Sequence, residues 1–135
     1  MTVDAFGVRH LEPDMKYTIL IYESAADFAT RTDPDMKKRE AYRAAWPPYT
    51  KALQEAGVFV GGSGLEPPDT ATRLSFQGDK RVVQDGPYAD TKEQLGGFYI
   101  IDVPDLDTAL DWAARTPRTP GRVFEIRPNL VAPPT

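Results

Sequence analysis

Residues 85–98, DGPYADTKEQLGGF, gather three acids, one lysine, one tyrosine and three glycines between two runs with strand character. Asp85 is the candidate acid or base here, since a positioned carboxyl in a partly apolar pocket is a common choice for proton transfer. Lys92 could steady an anion. Tyr88 and Glu93 would stand where a ligand enters if the segment returns over an open end of the fold. Tyr22 and Tyr99 offer further hydroxyls, although aromatic residues at strand positions are core more often than site. A second reading stays open beside this one. Asp85, Gly86 and Pro87 are turn formers, Thr91 with Gln94 or Asp90 with Glu93 makes a capping box, and the segment then only reverses the chain. Its length favours the pocket wall, because a plain reversal needs about two to five residues.

Other groupings carry less. GGSG at residues 61–64 follows a strand as a phosphate cradle would, but it lacks the Gly-Lys-Ser/Thr continuation and LEPPD cannot open a helix; a glycine bend or bulge is the plainer reading. His10 is the one histidine and there is no cysteine, so a transition-metal site would rest on carboxylates alone and no metal ligand is assigned. Asp102, Asp105 and Asp107 surround a helix start, where acids complement the dipole. Arg115, Arg118, Arg122 and Arg127 could clamp a carboxylate, or form a solvated face. No Ser-His-Asp or Cys-His arrangement and no cofactor motif is present, so the chemistry read here is cofactor-free.

The elements that must position these residues follow from periodicity. Residues 1–14 show no period and read as a flexible arm; 15–130 form one domain, and 131–135 a tail. KYTILIY at 16–22 alternates with apolar side chains on both faces, the mark of a strand covered on both sides. Asp33 is the expected cap of a helix beginning at Pro34. Tyr42, Ala45, Trp46, Tyr49, Ala52, Leu53 and Ala56 recur at helical spacing, with a kink or restart at Pro47 and Pro48 and an end at Gly57. VFV at 58–60 is a short strand, and TRLSF and RVVQ a hairpin. GFYIIDV at 97–103 is again apolar on both faces. Leu106, Ala109, Leu110 and Ala113 make a helical stripe capped by Asp105, and RVFEIRP at 122–128 is a last strand.

The order is β, α, β, inserted hairpin, β, α, β: an α+β, ferredoxin-like βαββαβ sheet. Two helices cover one face of such a sheet, yet the first and third core strands are apolar on both. A homodimer stacked through the bare face is therefore expected.

Bulk properties limit the partners. A chain of 135 residues with 41% hydrophobic content suits one domain with a real core. A net charge of −4 argues against nucleic acid. No apolar run approaches the ~18 residues of a spanning helix, and the start lacks a secretory apolar region. With no cysteine, the expectation is a cytoplasmic protein without membrane attachment.

MKYTILIY, LQEAGVFVGGSGLEPP and above all DGPYADTKEQLGGFYIIDVPDLDTALDWAAR resemble the YCII-related, or DGPF-type, domain over residues 15 to 128. The signature, commonly Asp-Gly-Pro-Phe, reads Asp85, Gly86, Pro87, Tyr88. The resemblance implies a ferredoxin-like dimeric α/β barrel. In some relatives it implies a histidine on the first helix working with an aspartate; the matching region here holds Trp46, which becomes a candidate ligand contact instead. The functional expectation is a small-molecule enzyme using cofactor-free acid–base chemistry in a barrel pocket. The alternative is a non-catalytic metabolite-binding or regulatory module acting through the pocket or the dimer surface.

Overall fold

The computed structural model describes residues 2–3, 9–10, 15–86 and 93–131. β1 (Thr2–Val3) and β2 (Arg9–His10) pair as a minimal antiparallel ladder within the stretch expected to be a loose arm. The rest of that arm, and residues 132–135 of the tail, lie outside the described residues.

β3 (Lys16–Ser24) is the spine of the fold. Its burial alternates: Tyr17, Ile19, Ile21 and Glu23 are buried, while the residues between them are half-buried. Period-two burial turns the first set toward the helices and the second away from them. Ser24 ends the strand and caps α1 (Ala25–Thr30): its Oγ accepts from Asp27 N, and the Asp27 carboxylate accepts from Ser24 N, both at 3.3 Å. A six-residue helix is too short to show an apolar stripe, and the sequence reading had no helix here; Phe28 and Asp27 are its buried residues.

α2 (Met36–Glu55) starts later than expected. Asp33 uses its carboxylate to accept from Asp35 N at 2.8 Å, a local turn that leaves Pro34 outside the helix, and Asp35 is the cap, accepting from Lys37 N at 2.9 Å. The helix then runs through Pro47 and Pro48. These rings deprive the Arg43 and Ala44 carbonyls of their helical donors. All four residues are exposed, so water can serve the freed carbonyls, while Tyr49 and Leu53 keep the buried stripe in phase. Gly57, at φ 73°, closes the helix in the left-handed region that favours glycine.

β4 (Phe59–Gly64) extends through the glycine run, with a bulge between Phe59 and Gly61 in its pairing. A short 3-10 turn at Pro68–Thr70 precedes the hairpin of β5 (Thr72–Gln77) and β6 (Lys80–Asp85). β7 (Glu93–Asp102), α3 (Leu106–Ala114) and β8 (Val123–Pro128) complete the chain. The Asp105 cap is as expected, its Oδ1 accepting from Thr108 N at 2.8 Å and from Thr108 Oγ1 at 2.6 Å.

The main sheet has the order β4-β7-β3-β8, antiparallel throughout. This is the arrangement of a split βαββαβ unit, with the β5–β6 hairpin as a separate two-stranded insertion between its second and third strands. α2 and α3 pack on one face, where Tyr49, Leu53, Ala109 and Ala113 meet Tyr17, Ile19, Ile21 and Ile101. Ile19, Leu53 and Ile101 are wholly buried, each contributing about 1.5–3 kcal/mol relative to exposure. Register places Leu20 opposite Phe98 and Thr18 opposite Ile100 on the other face, away from α2 and α3, where these side chains stay half-buried. No helix among the described residues is long and apolar enough to cross a membrane.

Candidate functional site

On the helix-covered side, α2 and the β4, β7 and β3 strands of the sheet diverge around a cleft of about 470 Å³. Trp46, Thr50, Phe59, Tyr99 and Ile21 give it an apolar and aromatic wall; Glu23, Arg31, Tyr42 and Arg43 give it polar groups. Glycines keep the β4 side low. A Cβ on Gly62 would meet the backbone Phe98 O at 2.7 Å and the Tyr99 ring at 3.0 Å, so only glycine lets β4 lie this close to β7 and the Tyr99 ring without displacing them.

Glu23 is the charged centre of the site. It occupies the last inward position of β3 and is 2% exposed. Arg31, from the turn after α1, lies 3.2 Å from its Oε2, and Arg122, from the approach to β8, lies 3.4 Å from its Oε1. Tyr42 on α2 donates its hydroxyl to Glu23 at 2.9 Å and accepts from Arg31 Nε at 3.2 Å. Arg31 is held further by the Leu65 and Gly96 carbonyls and by the Phe28 ring, 4.9 Å from its Cζ. One carboxylate thus ties four elements together.

Arg122 is held differently. Its side chain is 1% exposed, its Nη1 donates to the Pro117 carbonyl, and its Cζ lies 5.1 Å from the Trp46 ring and 5.9 Å from that of Tyr42. Nε and Nη2 make no hydrogen bond among the described residues, so the contact with Glu23 is Coulombic attraction without hydrogen-bond alignment. Burial first, and the neighbouring Glu23 charge second, hold the Tyr42 phenol above its ordinary value. Tyr42 accordingly keeps its proton at neutral pH and donates it in the hydrogen bond to Glu23. Deeper in the wall, Thr50 and Tyr99 share a hydroxyl–hydroxyl hydrogen bond of 2.6 Å. Tyr99 stacks on Trp46 at 6.1 Å and 20°, and meets Tyr49 edge-on at 5.2 Å. Tyr49 donates to the Trp112 carbonyl at 3.0 Å, and burial lifts its phenol well above the usual range.

Of the residues singled out from the sequence, Trp46 and Tyr99 line this cleft, as do Gly96 and Gly97 from the far end of the 85–98 segment. Tyr22 points to the opposite sheet face, its hydroxyl 3.4 Å from Glu125 Oε2. Asp85 is exposed at the end of β6, accepting from Thr72 Oγ1 at 3.2 Å, and does not line the cleft. Glu93 is exposed at the start of β7, paired in register with Ser24. Tyr88 and Lys92 lie outside the described residues. The sequence reading did not single out Glu23, Arg31 or Tyr42, and took Arg122 only as one of four arginines. A signal was present: Glu23 continues the series Tyr17, Ile19, Ile21, and Arg122 precedes Phe124 and Ile126 at the same spacing, so both charges fall on core-facing positions. Among the described residues, no group of three or more histidines, cysteines or carboxylates is placed to hold a metal ion.

The sequence profile of the YCII-related domain matches residues 15–130. An uncharacterized protein of Rhizobium meliloti (strain 1021) is similar to this chain at 34% identity over 125 residues, covering 89% of this chain and 96% of the relative. An antiparallel ferredoxin-like sheet, the matched span and this full-length relative together make the chain a member of the YCII-related domain family.

Proposed function

We propose that this protein binds a small organic molecule in the cleft between α2 and the sheet. The observation that carries the reading is the combination of an aromatic wall with a polar network already assembled around Glu23, the usual make-up of a small-molecule site: mostly apolar, with a few fixed polar groups. The cleft volume of about 470 Å³ falls within the span of such sites. A metabolite screen followed through time tests it. A compound retained by the protein, with its concentration unchanged, identifies a binding module, and a compound consumed identifies an enzyme. No interaction in the whole screen removes the reading.

A second reading, proton transfer to the bound molecule, draws on Tyr42. Tyr42 lines the cleft with its hydroxyl hydrogen-bonded between Glu23 and Arg31, a positioned relay for a proton, while burial and the Glu23 charge keep the phenol itself a weak acid. Asp85 belongs to this reading only as far as the substitution described in the Discussion implicates it.

For the assembly we propose a homodimer closed through the sheet face away from α2 and α3, forming a dimeric α/β barrel. Leu20, Tyr22, Phe98 and Ile100 support it, as half-buried apolar and aromatic side chains on a face without a covering helix among the described residues. Light scattering should give twice the 15.0 kDa chain mass. A monomer at micromolar concentration overturns the barrel.

A further inference from the structure

Resting on the reading of the cleft as a small-molecule site, we infer that its ligand is a planar organic anion, with the flat part on Trp46 and Tyr99 and the negative end toward Arg43. The charge count leads there. Glu23 is flanked by two guanidinium groups, the half-buried Arg31 at 3.2 Å and the buried Arg122 at 3.4 Å, so one positive charge of the trio has no anion among the described residues. Asp27 is the other carboxylate buried among the described residues. It is occupied in capping α1, where it accepts from Ser24 N. Arg122 carries the clearest mark of the deficit: its side chain is 1% exposed, and two of its three nitrogens have no hydrogen-bond partner among the described residues. An unmatched charge out of water favours an opposite charge nearby far more than it would at a surface.

The geometry says where that charge can go. Arg122 stands behind Glu23, Trp46 and Tyr42, three residues that line the cleft, so its field reaches the cleft while its own atoms are not lining it. Arg31 is nearly saturated, by Tyr42, Leu65, Glu23 and Gly96. Arg43 is different. It lines the cleft from α2, is exposed, and forms no ion pair among the described residues. Glu66 lines the cleft as well, and it offsets Arg43 in formal charge, leaving the positive surplus of Arg31, Arg122 and Glu23 intact. Trp46 and Tyr99 both line the cleft with their rings stacked near-parallel, and a conjugated or aromatic body continues such a stack better than a flexible chain.

Benzoate, benzamide and acetate separate the two parts of the inference, because benzamide keeps the ring and loses the charge while acetate keeps the charge and loses the ring. The readout is the indole N–H resonance of Trp46, told from that of Trp112 by Trp46→Phe. Benzoate should shift it saturably, and benzamide and acetate should each bind at least about tenfold more weakly. Arg43→Gln, at an exposed site that leaves the fold alone, should weaken benzoate about threefold to tenfold. Equal binding of benzoate and benzamide overturns the anion while leaving the cleft as a site. Equal binding of benzoate and acetate overturns the planar part. Benzoate binding unchanged in Arg43→Gln overturns the placement of the charge. If no probe moves the Trp46 resonance up to high millimolar concentration, the inference falls, and a simultaneous failure of the metabolite screen removes the cleft as a site too.

Discussion

Gly96 stands so close to the Glu23 side chain that a Cβ built on it would lie 2.9 Å from Cδ and 3.0 Å from both Cγ and Oε2. Gly96 is also the extra residue of a bulge: Ile21 pairs with Gly97 and Tyr22 with Leu95, leaving Gly96 unmatched on β7. The bulge turns its carbonyl toward Arg31 Nη2 and Leu65 N and makes room for the carboxyl beside it. A backbone irregularity and a buried charge are one device here.

Gly96→Ala is therefore expected to destabilise the protein by about 1–3 kcal/mol, the range for overfilling a packed interior. Glu23 is held by three partners and has little freedom to move aside. Gly61→Ala is the matched control: nothing lies within 4 Å of the added Cβ, and its effect should stay within about 0.5 kcal/mol. Chemical denaturation of both variants measures the contrast, and equal stabilities would show that the carboxyl yields freely.

Glu23→Gln keeps the shape of the side chain and removes its charge, leaving Arg31 and Arg122 without their shared counter-ion. A loss of about 3–5 kcal/mol is expected, as for breaking a buried pair from one side. A paired Glu23→Met and Arg122→Met replacement should recover much of that loss, because it removes a buried charge as well as its partner. A loss below about 1 kcal/mol for the single change would mean that water reaches the trio.

Asp85→Asn tests the opening segment. Asparagine retains the turn capacity and can still accept from Thr72. With Asp85 exposed on β6 and away from the cleft lining, stability should change by less than about 0.5 kcal/mol, and benzoate should bind as to the parent. A tenfold loss of binding, about 1.4 kcal/mol, would bring the hairpin end into the site.

Alkaline stability follows from two phenols. Tyr42 and Tyr49 both have folded values raised above the ordinary 10.0, burial being the first cause in each. The neutral form is thus favoured by folding. The stabilisation is fully present below pH 10 and declines as the pH rises from there toward the folded values, because the unfolded chain ionises first. Tyr49→Phe should flatten part of that decline while costing about 1 kcal/mol at neutral pH through the lost bond to Trp112. Urea midpoints between pH 8 and pH 11 would check the sign, and a stability rising above pH 10 would refute it.

Local pattern carried the strands, the hairpin and α3, because each rests on neighbours a few residues apart: the alternation of 16–22, the glycine of the β5–β6 turn, the Asp105 cap. The start of α2 escaped it, since Asp33 and Asp35 are equally good caps in isolation and only the turn between them chooses. α2 also crosses Pro47–Pro48 unbroken, because tertiary packing of Tyr49 and Leu53 outweighs the local penalty. The site was half legible. Trp46 and Tyr99 are conspicuous by type. Glu23, Arg31 and Arg122 come from distant parts of the chain, and their meeting is a property of strand order that no window of sequence contains.

The strand order also sets a schedule for synthesis. β3 is made first among the core strands, yet its two neighbours in the sheet, β7 and β8, are the last two made. A growing chain must therefore carry an apolar strand with both edges open until β7 emerges, and with one edge open until nearly the whole domain has left the ribosome. Glu23 waits as long for its second guanidinium. A chain that stops short of Val123 lacks the partner for one edge of its central strand, and loses a closing strand rather than a tail.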